Sequence, residues 1–173
     1  DPNYGVSTPA HHYFVDASPM VADARLSSVW KTVLVGGLGG GGQGYYALDV
    51  TDPSTMSEAN AASIVLWEFT DENDPDLGFS YIRPTRRPLT GQSTQIAKMN
   101  NGKWAVLFGN GYNNTTADSH ASTTGHASLF ILFLEAGTDG TWTTGTDYIK
   151  LDTEVGSTTT PNGLGTPTPI DTD

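Results

Sequence analysis

The chain has 173 residues, long enough for one domain with a packed core, and its eight basic and nineteen acidic residues leave a net charge of −11. That charge excludes a nucleic-acid or anionic-membrane partner held by electrostatics, and leaves few cations to grip phosphates. Cysteine is absent, so disulfides, iron–sulfur clusters, thiolate zinc and cysteine nucleophiles are excluded, and no apolar run reaches the roughly 18 residues of a membrane-spanning helix.

Asp1 opens the chain without a basic and then apolar signal pattern, and the sequence reads as a piece of something longer. His11 and His12 form an exposed lead-in before Tyr13. The segment 17–24, ASPMVADA, alternates small polar and apolar residues and predicts a first strand. WKTVLVGG at 30–37 predicts a second strand, stopped by glycine.

The run GGLGGGGQG at 36–44 spells G-x-G-x-x-G twice, at Gly37, Gly39 and Gly42 and at Gly39, Gly41 and Gly44. A dinucleotide-binding turn needs a helix behind those glycines to present free N–H groups to the pyrophosphate. Here they lead into YYALDV, whose adjacent tyrosines favour a strand, and Gln43 and Gly44 stand where a phosphate-binding loop needs lysine and serine or threonine. The expectation is a strand-to-strand connection that binds no nucleotide.

Beyond the third strand (44–50), Asp49 and Asp52 flank the turn before Pro53 and are expected to cap it. STMSEANAAS at 54–63 has room for one or two helical turns, and SIVLWEFT at 63–70 predicts a fourth strand. DENDPD at 71–76 starts the alternation of a calcium loop at Asp71 and Asn73, but Pro75 takes the next ligand place. It reads as an acidic turn, with a surface cation site as the lesser alternative. Arg83, Arg86 and Arg87 form the one basic cluster, expected to serve as internal ion-pair partners rather than as a contact patch.

The pattern then repeats. QSTQIAKM at 92–99 starts 75 residues after ASPMVADA, and GTPTPIDT at 165–172 starts 73 residues later again. KWAVLFGN at 103–110, ASLFILFLE at 127–135 and DYIKLDT at 147–153 supply the other strands of the second unit. In place of the glycine run it has the loop NGYNNTTADSHASTTGH at 110–126. Asp118, His120 and His126 share that loop, so zinc is conceivable, but their spacing is not that of a known site and solvated loop histidines are the expectation. Four antiparallel strands per unit predict an all-β fold, a partial β-propeller of two four-stranded blades plus the first strand of a third. The blade-like repeats run over about 13–87 and 88–160, with a third starting at 161–173. Insertions at 52–62, 71–92 and 112–126 lengthen them. Trp30, Trp67, Trp104 and Trp142 recur beside strands and are expected to pack between blades rather than to form a sugar platform. No nucleophile elbow is present, and neither Glu68 nor Asp74 stands out as a catalytic carboxylate in so acidic a chain.

VWKTVLVGGLGGGGQGYYALDVTDP, VLWEF, GKWAVLFGNGYNN and NGLGTPTPIDTD together resemble the C-terminal propeller of the type IV pilus tip proteins, the PilY/PilC family, over nearly the whole chain. RPTRRPLTGQST at 83–94 is longer than the corresponding family loop. The resemblance implies a non-enzymatic, pilus-associated protein on the extracellular or outer-membrane surface. Its partners would be type IV pilus components or a cell or abiotic surface, and its roles pilus biogenesis, adhesion and twitching motility. It also implies a calcium loop of D-x-D-x-D-G type, of which only Asp171 and Asp173 stand in this sequence. YYALDVTDP with LWEF also resembles the repeat of quinoprotein propellers, so an oxidoreductase remains an alternative. A third is a self-assembling extracellular β-protein joined through open strand edges.

Overall fold

The computed structural model describes residues 12–116 and 118–170. The described chain is nearly all sheet, in two antiparallel units of four strands. The first orders β1 (Met20–Leu26), β2 (Val29–Gly37), β3 (Gly44–Asp49) and β4 (Val65–Thr70) side by side. The second does the same with β5 (Ile96–Lys98), β6 (Trp104–Gly109), β7 (His126–Phe133) and β8 (Tyr148–Gly156). Both are blades of the expected kind.

Alternation decides which residues enter the core, because successive side chains on a strand leave opposite faces. Met20, Ala22, Ala24 and Leu26 on β1, Val33 and Val35 on β2, Tyr45 and Ala47 on β3, and Trp67 and Phe69 on β4 share one buried face. It packs on Ile96, Val106, Phe108, Phe130, Leu132 and Tyr148 of the second blade. Burying each large side chain contributes about 1.5–3 kcal/mol. Small residues, Ala22 and Ala24, fill the middle of β1, and the aromatic members of the core, among them Tyr45, Phe69, Phe108 and Phe130, come from the other strands. Tyr45 stacks on Phe108 with centroids 3.9 Å apart, and Phe69 meets Phe130 edge-on at 5.6 Å. The inner strands touch where Ser93 N–H donates to the Val21 carbonyl at 2.8 Å and Val21 N–H donates to Ser93 Oγ at 2.9 Å.

The glycine run forms a single 3-10 turn, Gly39–Gly41, directly between β2 and β3, with no helix behind it. Gly39 has φ +65°, and a Cβ there would collide with Asp16 of the lead-in segment. Its N–H donates to Ser80 Oγ at 2.6 Å, so the turn is held between the lead-in of its own blade and that of the next. Residues 53–64 form short helical turns, Pro53–Thr55 and then Glu58–Asn60 running directly into a single α-helical turn at Ala61–Ile64, within the one or two turns the sequence allows for 54–63. Residues 161–170 contain no strand. Pro161, Pro167 and Pro169 bring no N–H, and side chains take up part of the segment's polar backbone: Leu164 N–H donates to Asn110 Oδ1 and Gln95 Nε2 donates to the Pro167 carbonyl.

The far face of the second blade is apolar as well. Ala105, Leu107, Ile131 and Phe133 form a separate cluster flanked by Ala97, Met99, Leu129 and Ile149. On the same β8 the outer edge is blunted: the register shifts opposite His126 and Ser128, Glu154 has φ +59°, and Asp152 and Glu154 are charged and exposed.

Candidate functional site

The acidic turn after β4 is where buried charged groups join the two blades. The segment 71–76 is the acidic turn its sequence predicts, with Asp74 and Asp76 turned inward. The side chains of Asp74 and Asp76 are only 4% and 9% exposed. Lys150 on β8 places Nζ 2.9 Å from an oxygen of each. Tyr148 donates to Asp74 at 2.8 Å, and Ser122 and Thr124 of the long 110–125 loop donate to Asp76. Buried charge is tolerated only with such pairing and hydrogen bonding. Burial works to raise Asp76, but the hydrogen bonds from Ser122 and Lys150 and the charge of Lys150 prevail and hold it below its ordinary value. Burial likewise works to lower Lys150, and its bonds to Asp74 and Asp76 hold it above the usual lysine range. Asn110 and Asn114 complete the junction: the side-chain amides of both donate to the carbonyls of Asp76 and His126.

Next to this clasp, three groups from distant parts of the chain converge. Asp71 lies immediately after β4, and Asp118 and His120 lie on the long loop of the second blade. Two carboxylate oxygens and a ring nitrogen all lie within 4.8 Å of one another. His120 Nδ1 is 3.8 Å from Asp71 Oδ2. Gln43, from the glycine run, reaches both acids through Nε2, 2.5 Å from Asp118 Oδ2 and 3.5 Å from Asp71 Oδ2. Its backbone carbonyl also accepts from Asp71 N–H at 3.2 Å, which fixes the two segments together. Burial and then the charge of Asp118 push Asp71 above the ordinary carboxylate range, with His120 acting against them.

Several sequence expectations change here. Asp118 and His120 do meet in space, but His126 does not join them. Its Nδ1 sits 3.0 Å from Asp152 on β8, and Asp71 supplies the third group of the cluster instead. His126 and Glu154 N–H bonds hold Asp152 low. Among the described residues, Arg83, Arg86 and Arg87 make no ion pair, contrary to expectation. Arg87 donates to the Ile96 carbonyl at 3.0 Å and Arg86 to that of Gly91 at 3.4 Å, because the turn from 85 to 94 folds both guanidinium groups back onto backbone carbonyls. Asp49 accepts from Thr51 N–H and Asp52 from Ser54 N–H, the capping expected of both. Trp67 and Trp142 pack edge-on between the blades at 5.4 Å, whereas Trp30 lies 61% exposed at the outer hairpin against Trp104. His12 is exposed. His11, Asp171 and Asp173 lie outside the described residues. No helix among the described residues is long and apolar enough to cross a membrane.

Comparison with known proteins covers the chain almost end to end. The family model of the PilY1 beta-propeller domain matches residues 3–173. A type IV pilus biogenesis factor PilY1 homolog of Xylella fastidiosa is 41% identical over 163 residues, 94% of this chain and 10% of the relative. The type IV pilus biogenesis factor PilY1 of Pseudomonas aeruginosa is 40% identical over 158 residues, 91% of this chain and 11% of the relative. The chain thus spans about a tenth of the length of these curated relatives. The crystal structure of the Pseudomonas aeruginosa PilY1 C-terminal domain superposes with a TM-score of 0.60 at 39% identity, over 87% of this chain and 24% of that one.

Proposed function

The chain belongs to the PilY1 β-propeller domain family, and from that premise we propose that it is a non-catalytic propeller segment of a surface protein acting with type IV pilus components in pilus biogenesis. The observation that carries this reading is an identity of about 40% that runs through both blades and their connections, in relatives named as type IV pilus biogenesis factors. In the reading, the blades are a rigid support and the long loops are the contact surface. Attachment to surfaces and twitching motility belong to the same proposal, as does calcium. Asp171 and Asp173 offer the hard carboxylate oxygens that calcium prefers, and would contribute to such a loop when further ligands are present.

A chimera tests the proposal. The matching segment of the Pseudomonas aeruginosa PilY1 is replaced by these residues, and the product is expressed in a strain lacking its own copy. Restored surface pili and twitching are expected. A chimera that is exported and folded yet restores neither overturns the reading.

A further inference from the structure

The cluster of Asp71, Asp118 and His120 has a feature that a solvated acidic patch does not explain. Gln43 is only 7% exposed, and its carboxamide is aimed into the cluster, but its Oε1 is buried with no hydrogen-bond partner. The amide is therefore oriented by one demand alone, that of two neighbouring carboxylates for a positive partner. Glu72 adds further negative charge beside them, and His120 is the nearest basic side chain, at 3.8 Å. A cation lying between the carboxylates meets that demand better than an amide N–H₂ does. Rotation about the terminal torsion of Gln43 would exchange its nitrogen for its oxygen, turning an uncompensated acceptor into a fourth ligand.

We propose that Asp71, Asp118, His120 and Gln43 form a site for a borderline divalent transition metal, represented by zinc, that ties the first blade to the long loop of the second. The donor set selects the metal class. An imidazole nitrogen, two carboxylate oxygens and one amide oxygen make a four-coordinate N/O set, suited to zinc at about 2.0–2.2 Å per bond. Calcium takes six to eight oxygen ligands and gains little from imidazole. A tetrahedron with such bonds needs ligand atoms a little over 3 Å apart. The observed separations, 3.8 Å for His120 to Asp71 and at most 4.8 Å overall, call for only a small contraction of the loop. That loop is the movable partner: Asp118 is exposed and the His120 side chain is 40% exposed, whereas Asp71 and Gln43 are anchored by their backbone bond.

The test is titration of the full 173-residue chain with zinc chloride by calorimetry and by thermal unfolding. A single zinc ion per chain and a raised Tm are expected, since a ligand that binds only the folded state stabilises it. Asp118→Asn and His120→Ala lie on the exposed loop and leave the cores untouched. Each is expected to weaken zinc binding by at least about tenfold, the loss seen when even a supporting group of a metal site is removed. His126→Ala and His12→Ala are expected to leave it unchanged. Cobalt(II) replacing zinc is expected to give the intense visible bands of four-coordination, and millimolar calcium is expected not to compete. No saturable zinc binding, equal loss in His126→Ala, or retention in both loop variants would overturn the proposal.

Discussion

The two blades are built on one plan and differ most at one connection. Between β2 and β3 the first blade has the short glycine turn at 38–43, whose Gly39 and Gly40 bond the adjoining lead-in segments and whose Gln43 meets the long loop of the second blade. Between β6 and β7 the second blade has the long polar loop at 110–125, which reaches back to Gln43, Asp71 and Asp76 of the first. The counterpart positions keep their conformations. Gly39 and Gly111 are both left-handed, at φ +65° and +73°, and each lies against the lead-in of its own blade. A conserved plan in strand and turn thus leaves loop length free to decide which blade supplies the clasp. The ion pairs divide in the same way. Lys150 of the second blade bridges two buried carboxylates, whereas Lys31 of the first pairs with Asp49 while 34% exposed.

The shared core sets the largest expected effect. Phe108→Ala removes a fully buried ring stacked on Tyr45 of the other blade and should cost about 4 kcal/mol in urea unfolding. A single transition in that experiment, with both blades lost together, is the outcome expected if the interface makes them one unit. Two separate transitions would break the comparison, since the blades would then fold independently. Lys150→Ala comes next, at about 3 kcal/mol, because it leaves Asp74 and Asp76 buried without their cation. Lys31→Ala, measured beside it, should cost below about 1 kcal/mol, as exposed pairs do.

Acid sharpens the same contrast. Asp76 is held below its ordinary value of 3.8, so its contribution is present above that pH and is lost as pH falls through the depressed folded value. Lys150 is held above 10.5, so its contribution is present below that pH and is lost as pH rises through the raised folded value. Unfolding midpoints should therefore fall off more steeply below about pH 4 in the parent than in Asp76→Asn, which carries no such titration. A small effect of the opposite sign lies at the β1–β2 hairpin, where Ser27 and Ser28 both have positive φ, at 47° and 70°. Ser28→Gly should raise stability by about 1 kcal/mol by removing the left-handed penalty. Glu135 of the second blade bonds Ser27 N–H and Oγ, and this contact is absent from any reading of the hairpin alone.

Much of the blade plan is legible in the sequence, because its determinants are local. The period-2 run MVADARL, the continuous apolar run WAVLFG, the glycine stops at Gly37 and Gly109, and the recurrence of the whole pattern in QSTQIAKM and KWAVLFGN mark strands and blades without reference to distant residues. The absence of a helix after GGLGGGGQG likewise separates a strand connection from a phosphate loop. The site is different. Gln43 and Asp71 lie 75 and 47 residues of chain away from Asp118, and neither the acidic turn nor the histidines announce their partners in sequence.

What the sequence by itself determined is therefore the set of strands, their order and the side chains able to face a core, since backbone sterics and alternation act within a few residues. Only the tertiary structure decided that Asp74 and Asp76 are buried, that the arginines bond carbonyls, that His126 turns to Asp152 and that Asp71 joins Asp118 and His120. The physical reason is that the packing of the two buried faces sets which loops meet. Charge burial and pairing follow from that meeting rather than from the residue types.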